Sequence, residues 1–245
     1  MSGSGVSADG RILCEGCGYT LSQVTSEVLP ATCPECGSPC ESSLPARRVL
    51  PSWERTPGPC AWCRTACRVL VMPHTFFKEI QVHGRSSKPR LFLLISALSV
   101  GLLLTSMGGA SVLLQNPGAG RASVPPVWWW LIGMGAVKLT LLLSYIEVVG
   151  VTLIGRRRGW RFSLQGAERL VAYASLGFPV GVLVASPLVA LTPRAVAAWD
   201  RQPGWPLLPS GASLWVAMML SVWVPTLVFS FYLGVGLRQA RFANA

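Results

Sequence analysis

Charge is scarce in this chain of 245 residues. Asp, Glu, Lys and Arg make up 13% of it and hydrophobic residues 51%, whereas soluble domains are usually about a quarter charged. Acids are scarcer than bases, 10 against 21, which leaves a formal net charge of +11. There are only two histidines, His74 and His83, and both precede the first long apolar run. The long apolar runs contain no Cys, His or Asp. These absences remove the usual catalytic sets: no Ser/His/Asp group, no glycine-rich phosphate loop and no carboxylate pair is visible. Membrane thiol oxidoreductases need cysteines in outer loops or in their spans, and none of the eight lies there. The expectation is therefore a protein that is not an enzyme. Residues 1–10 lack the basic and apolar regions of a signal peptide and read as a disordered Ser/Gly tail.

What is present begins with cysteine. Cys14-Glu15-Gly16-Cys17-Gly18 and Cys33-Pro34-Glu35-Cys36-Gly37 are matched C-x-x-C-G knuckles with 15 residues between them. A C-x-x-C turn brings two sulfurs to one ion, and the glycine that follows supplies the left-handed backbone such a turn needs. Four thiolates close a tetrahedral shell around Zn²⁺ and leave no open position for substrate. Residues 11–40 thus read as a small rubredoxin-like zinc ribbon with one structural ion on Cys14, Cys17, Cys33 and Cys36. Asp9, Glu15, Glu27, Glu35 and Glu41 lie in or beside it, against Arg11 as the one base before Arg47. That balance is the reverse of what phosphate neutralisation needs, so the ribbon is expected to be a protein-contact module, or a folded cap with no partner, and not a nucleic-acid binder.

Residues 91–245 read as an all-α integral membrane bundle. Four spans are predicted near 91–114, 127–154, 170–191 and 214–237, each longer than the roughly 20 residues that cross a bilayer. Their flanks set an orientation. Lys78, Arg85, Lys88 and Arg90 precede span one; Arg156, Arg157, Arg158, Arg161 and Arg169 separate spans two and three; Arg238 and Arg241 follow span four. The other loops hold only Arg121, Arg194 and Arg201. Positive-inside bias then puts both termini in the cytoplasm, with Trp128, Trp129 and Trp130 at the outer interface.

Between ribbon and membrane, 41–59 reads as an irregular linker and 60–90 as juxtamembrane amphipathic helices. Trp62, Ala66, Val69 and Leu70 share one side of the first helix, with Arg64 and Arg68 on another; Phe76, Phe77 and Ile80 group on the second. Such helices either lie in the inner interface or pack beneath the bundle. Cys40, Cys60, Cys63 and Cys67 are enough for a second zinc site, but their spacing is irregular and Cys63 and Cys67 fit a helix turn equally well; small buried thiols are the default for them. In span three Gly177, Gly181 and Ala185 recur every four residues, a stripe that admits a close helix neighbour or a second copy of the chain.

Two sequence patterns carry a resemblance. Cys14–Leu21 and Cys33–Pro39 have the form CxxCGYxL…CPECGxP, and Met72-Pro73-His74-Thr75-Phe76-Phe77-Lys78-Glu79-Ile80 leads through a polar stretch into an apolar span. With Ser144–Gly150 and Ile154–Arg161, these resemble bacterial proteins that join such a ribbon to a Yip-type membrane domain. That family is named for interaction with Rab-type GTPases. The resemblance implies a fold and a membrane location, and no reaction. It also implies five spans where hydropathy gives four: either the fourth segment breaks at Pro225 or the chain is a divergent member. A small transporter or channel is the alternative. It would use Lys138, near mid-depth in span two, and Glu147 nine residues on, about 13 Å of rise and half a turn out of phase.

Overall fold

The structure is a computed structural model that describes residues 12–21, 31–43, 48–81, 86–115, 126–160, 163–200 and 212–242. The tail 1–10 lies outside these residues, as do Arg11, Glu27, Arg47, His83, Arg85, Arg121, Arg161 and Arg201. After a 3₁₀ turn at Cys40–Ser43 come α1 (Ser52–Arg55), α2 (Pro59–Val71), α3 (Pro73–Glu79), α4 (Lys88–Gln115), α5 (Pro126–Arg157), α6 (Leu164–Ala174), α7 (Gly177–Asp200) and α8 (Ala212–Ala240). Among the described residues, β-pairing is confined to three isolated bridges. Prolines open α2, α3 and α5, where the missing N–H costs nothing and the fixed φ suits the helix.

Among the described residues, four stretches are long and apolar enough to cross a membrane: Lys88–Met107, Trp130–Arg157, Leu164–Thr192 and Trp215–Ala240. Two sequence expectations need revision here. Pro225 does not break the last helix, because α8 runs through it. The third stretch does break, at Ser175–Leu176 between α6 and α7. Pro179 falls in the first turn of α7, where a proline leaves no interior hydrogen bond unmade.

The chain divides into two compact units. The first takes in residues up to Leu93, Leu143–Ala174 and the end from Tyr232. Its core is aromatic. Phe92 meets Trp53 edge-on at 6.0 Å, Trp62 at 5.9 Å and Tyr173 at 4.9 Å; Phe76 meets Phe77 and Tyr173, each at 5.3 Å. Such contacts are worth about 0.5–1.5 kcal/mol each beyond area burial. The aromatics of α2 and α3 are thus spent on the fold, which leaves Arg64, Cys63 and Cys67 facing out.

A buried ion pair sits in this core. Glu54 accepts from Arg169 Nη2 and from the Tyr173 hydroxyl, both at 2.8 Å. Arg169 Nη1 donates to the Gln81 carbonyl at 2.6 Å, Trp53 Nε1 donates to the Lys88 carbonyl at 2.8 Å, and Lys88 Nζ donates to the Glu54 carbonyl. Both charged side chains are almost fully buried. This corrects two expectations. Residues 41–59 are not irregular throughout: they carry the end of the 3₁₀ turn and α1, with Pro51, Trp53 and Glu54 buried. Arg169 is no loop cation but the partner of Glu54.

The second unit comprises Leu94–Leu142 and Ser175–Phe231, and glycine sets its helix spacing. A Cβ on Gly177 would lie 2.5 Å from Phe229 Cα and 2.7 Å from its nitrogen. One on Gly181 would press on Pro225 Cα, with Pro225 N at 2.9 Å. The stripe on α7 therefore faces α8 of the same chain, with Ala185 also buried and Phe178 stacked on Phe229 at 4.4 Å. A second close approach, at Gly101 of α4 and Gly133 of α5, puts each glycine's would-be Cβ within 2.9 Å of the other's carbonyl oxygen.

Candidate metal centre

The two knuckles are built alike. Gly18 N–H donates to the Cys14 carbonyl at 2.8 Å, and Gly37 N–H to that of Cys33 at 2.9 Å. Cys14 N–H reaches the Tyr19 carbonyl, and Cys33 N–H that of Ser38. Leu13 bridges Thr20 as Thr32 bridges Pro39. Each contact recurs at a shift of 19 residues, as from Cys14 to Cys33. Gly18 and Gly37 have φ of 85° and 68°, the left-handed backbone expected after each C-x-x-C. Under the same shift Leu21 maps onto Cys40. Both are buried in one small core with Cys14 and Cys33, so Cys40 serves as a small hydrophobe.

The four sulfurs converge. All lie within 4.8 Å of one another, with Cys14 and Cys36 at 3.5 Å and Cys17 and Cys33 at 3.7 Å. Bonds near 2.3 Å in a tetrahedral thiolate shell imply sulfur–sulfur edges of about 3.8 Å. The cluster can therefore hold a metal ion with little movement. All eight cysteines are free thiols. Hydrogen bonds from Ser38, side chain and backbone, bring Cys36 down to about 6. Burial pushes Cys14 up. The Tyr19 backbone pulls Cys17 down, but burial and the neighbouring sulfurs together outweigh it and leave the thiol at about 12.

The environment breaks the symmetry between the knuckles. Glu15 in the first receives a two-pronged ion pair from Arg48, Nε to Oε1 at 2.9 Å and Nη2 to Oε2 at 2.8 Å. Arg48 Nη1 also donates to the Ile80 carbonyl at 2.8 Å. Beside it, Val49 pairs with Ile80 in parallel register. Arg241, just past α8, donates to the Gly16 carbonyl at 3.1 Å, and the Phe242 ring would lie 2.9 Å from a Cβ on Gly18. The first knuckle is therefore docked against the ends of α3 and α8, and is not joined to them by an irregular linker alone. In the second knuckle Pro34, Glu35, Cys36 and Gly37 are exposed, and a Cβ on Gly37 would meet nothing within 4 Å.

The other sequence candidates do not gather into a site. Lys138 is exposed and Glu147 half-buried on α5, and neither forms an ion pair with another described residue. His74 is exposed. Cys60, Cys63 and Cys67 are exposed too, against the expectation of burial. Sequence reasoning missed Arg48, Glu54, Tyr173, Arg241 and Phe242. The one available signal was Glu54, a lone acid between prolines with a tryptophan before it. No protein-family model, curated protein or solved structure matches the chain.

Proposed function

We infer that this is a multi-pass membrane protein of Yip-like type, set in a bacterial inner membrane with both termini cytoplasmic. It works by contact and not by catalysis. Its ribbon holds one structural Zn²⁺ on Cys14, Cys17, Cys33 and Cys36. Metal binding there is folding energy, on the order of 10–16 kcal/mol for small zinc domains. The first knuckle fastens the ribbon to the ends of α3 and α8 by way of Arg48 and Arg241, so the two ends of the chain share one face of the membrane.

The observation that carries the functional reading is the inequality of two knuckles with one backbone. The first is held by Arg48, Arg241 and Phe242 of its own chain, with only Gly16 and Cys17 of its turn exposed; the second is exposed from Pro34 to Gly37 and bears Glu35 at its tip. The second knuckle is the contact for another protein, and the membrane helices deliver that contact to the bilayer surface. A photo-crosslinking residue at position 35 in living cells should give discrete protein adducts, whereas one at the exposed Thr56 should not. Cys14→Ser should abolish the adducts. Equal labelling from both positions would reject the contact. A flux assay on purified protein in vesicles, wild type against Lys138→Leu, separates this from the transport reading. Flux that depends on Lys138 would favour transport, although intramembrane charges on conduction paths face a bundle interior or wet cavity and Lys138 is exposed.

A further inference from the structure

Cysteine is among the residue types most often buried, and five of the eight here have a place: four in the metal cluster and Cys40 in the ribbon core. The other three do not follow suit. Cys60, Cys63 and Cys67 are free, exposed and carried by a single helix, α2. Their spacing of i, i+3 and i+7 draws one stripe along it. The stripe lies away from Thr65, Ala66 and Val69, which face the core. The exposed Arg64 and Arg68 run beside it, with Arg68 also reaching Glu79 at 2.6 Å.

Helix geometry decides what such a stripe can hold. Residues three or four apart have Cβ atoms about 5–6 Å from each other, so Cys63 can share an ion with Cys67 or with Cys60. Cys60 and Cys67 are seven residues apart, about 10.5 Å along the axis, and cannot join on one ion while the helix is intact. A four-ligand zinc shell or a three-thiolate site is therefore ruled out on α2. An ion content with two soft ligands is not, and thiolates select Cu(I) among such ions.

We propose that α2 carries a second metal site, for a soft monovalent cation of the Cu(I) class. Cys63 is the constant ligand and Cys67 or Cys60 its partner. Each thiol gives its proton to solvent as its bond to copper forms. Two thiolates and one Cu(I) leave a single negative charge, which Arg64 and Arg68 offset. The site is separate from the ribbon and does not depend on what the ribbon holds.

The test uses full-length, zinc-loaded protein in detergent, titrated with Cu(I) presented by a chromogenic chelator. Copper uptake and zinc release are followed together. The first equivalent of copper should bind with no zinc released, and X-ray absorption should show two sulfur ligands. Cys63→Ser should weaken that first equivalent by more than the ~10–100-fold that loss of an outer-shell partner costs. The double variant Cys60→Ser/Cys67→Ser, which keeps Cys63 but removes both partners, should do the same. All three thiols are exposed, so circular dichroism should report an unchanged fold. Zinc release from the first addition, or copper affinity unchanged in Cys63→Ser, would overturn the proposal.

Discussion

The close approach of α7 and α8 gives a sharp mutational expectation. In Gly181→Ala, the added carbon meets Pro225 backbone, with the nitrogen at 2.9 Å and Cα nearer still. Backbone cannot rotate away as a side-chain tip can, so one helix must move. Overpacking of this kind costs about 1–3 kcal/mol, and a rigid obstacle puts the cost at the upper end. Against it stands a gain of about 1 kcal/mol from replacing glycine by alanine inside a helix. The net expectation is a loss of about 1–2 kcal/mol, a factor of 5–30 in the folded-to-unfolded ratio. Gly135→Ala is the control, because a Cβ there meets nothing within 4 Å; only the helix gain should remain. Equilibrium unfolding in mixed micelles, followed by circular dichroism, reads both. The contact lies within one chain, so the loss should not vary with protein concentration. If Gly181→Ala proved as stable as Gly135→Ala, or lost stability only through dissociation of a dimer, the packing argument would fail.

Other expectations follow from the polar contacts and the metal centre. Glu54→Ala removes the carboxylate that balances the buried Arg169 charge and should cost about 3–5 kcal/mol; a loss below 1 kcal/mol in the same unfolding assay would mean that water reaches the pair. Elemental analysis should find one zinc per chain in the wild type and none in Cys14→Ser; two per chain would refute the single ribbon site. Zinc affinity should fall as pH falls, because protons compete for thiols such as Cys17, held near 12 in the metal-free ribbon; a flat pH profile would argue against thiolate ligation. Reporter cysteines near residues 118 and 204, on a background lacking the native eight, should label from outside the cell and one near 159 should not; labelling at 159 would reverse the orientation.

Local patterns were legible in the sequence, and long-range pairings were not. The knuckles declared themselves because ligand spacing and the following glycine are local, and the four apolar stretches because hydropathy is a sum over neighbours. The small-residue stripe on α7 was visible, but its partner Pro225 lies 44 residues beyond Gly181 and left no local sign. Arg169 shows the limit most plainly. In a run of bases before a span it reads as a positive-inside cation, and only the fold brings it to Glu54, 115 residues away. The same holds for Arg48 and Glu15. Without those two contacts, Ser-, Pro- and Arg-rich residues 41–59 could only be read as linker. Cys60, Cys63 and Cys67 failed for another reason: burial is the sound default for cysteine, and on α2 the buried side was already taken by Thr65, Ala66 and Val69.

The central claim is that a metal-held ribbon is fastened to the membrane helices by its first knuckle, and hydrogen–deuterium exchange tests it most directly. The full-length protein would be compared with zinc bound and after chelation. Removal of zinc should raise exchange within residues 12–40. It should also raise exchange at Val49 and Gln81, whose amides bond to the Glu79 and Val49 carbonyls, and at the end of α8 around Arg238–Phe242. Faster exchange confined to residues 12–40, with Val49, Gln81 and the end of α8 unchanged, would contradict the claim and return the ribbon to a free tether.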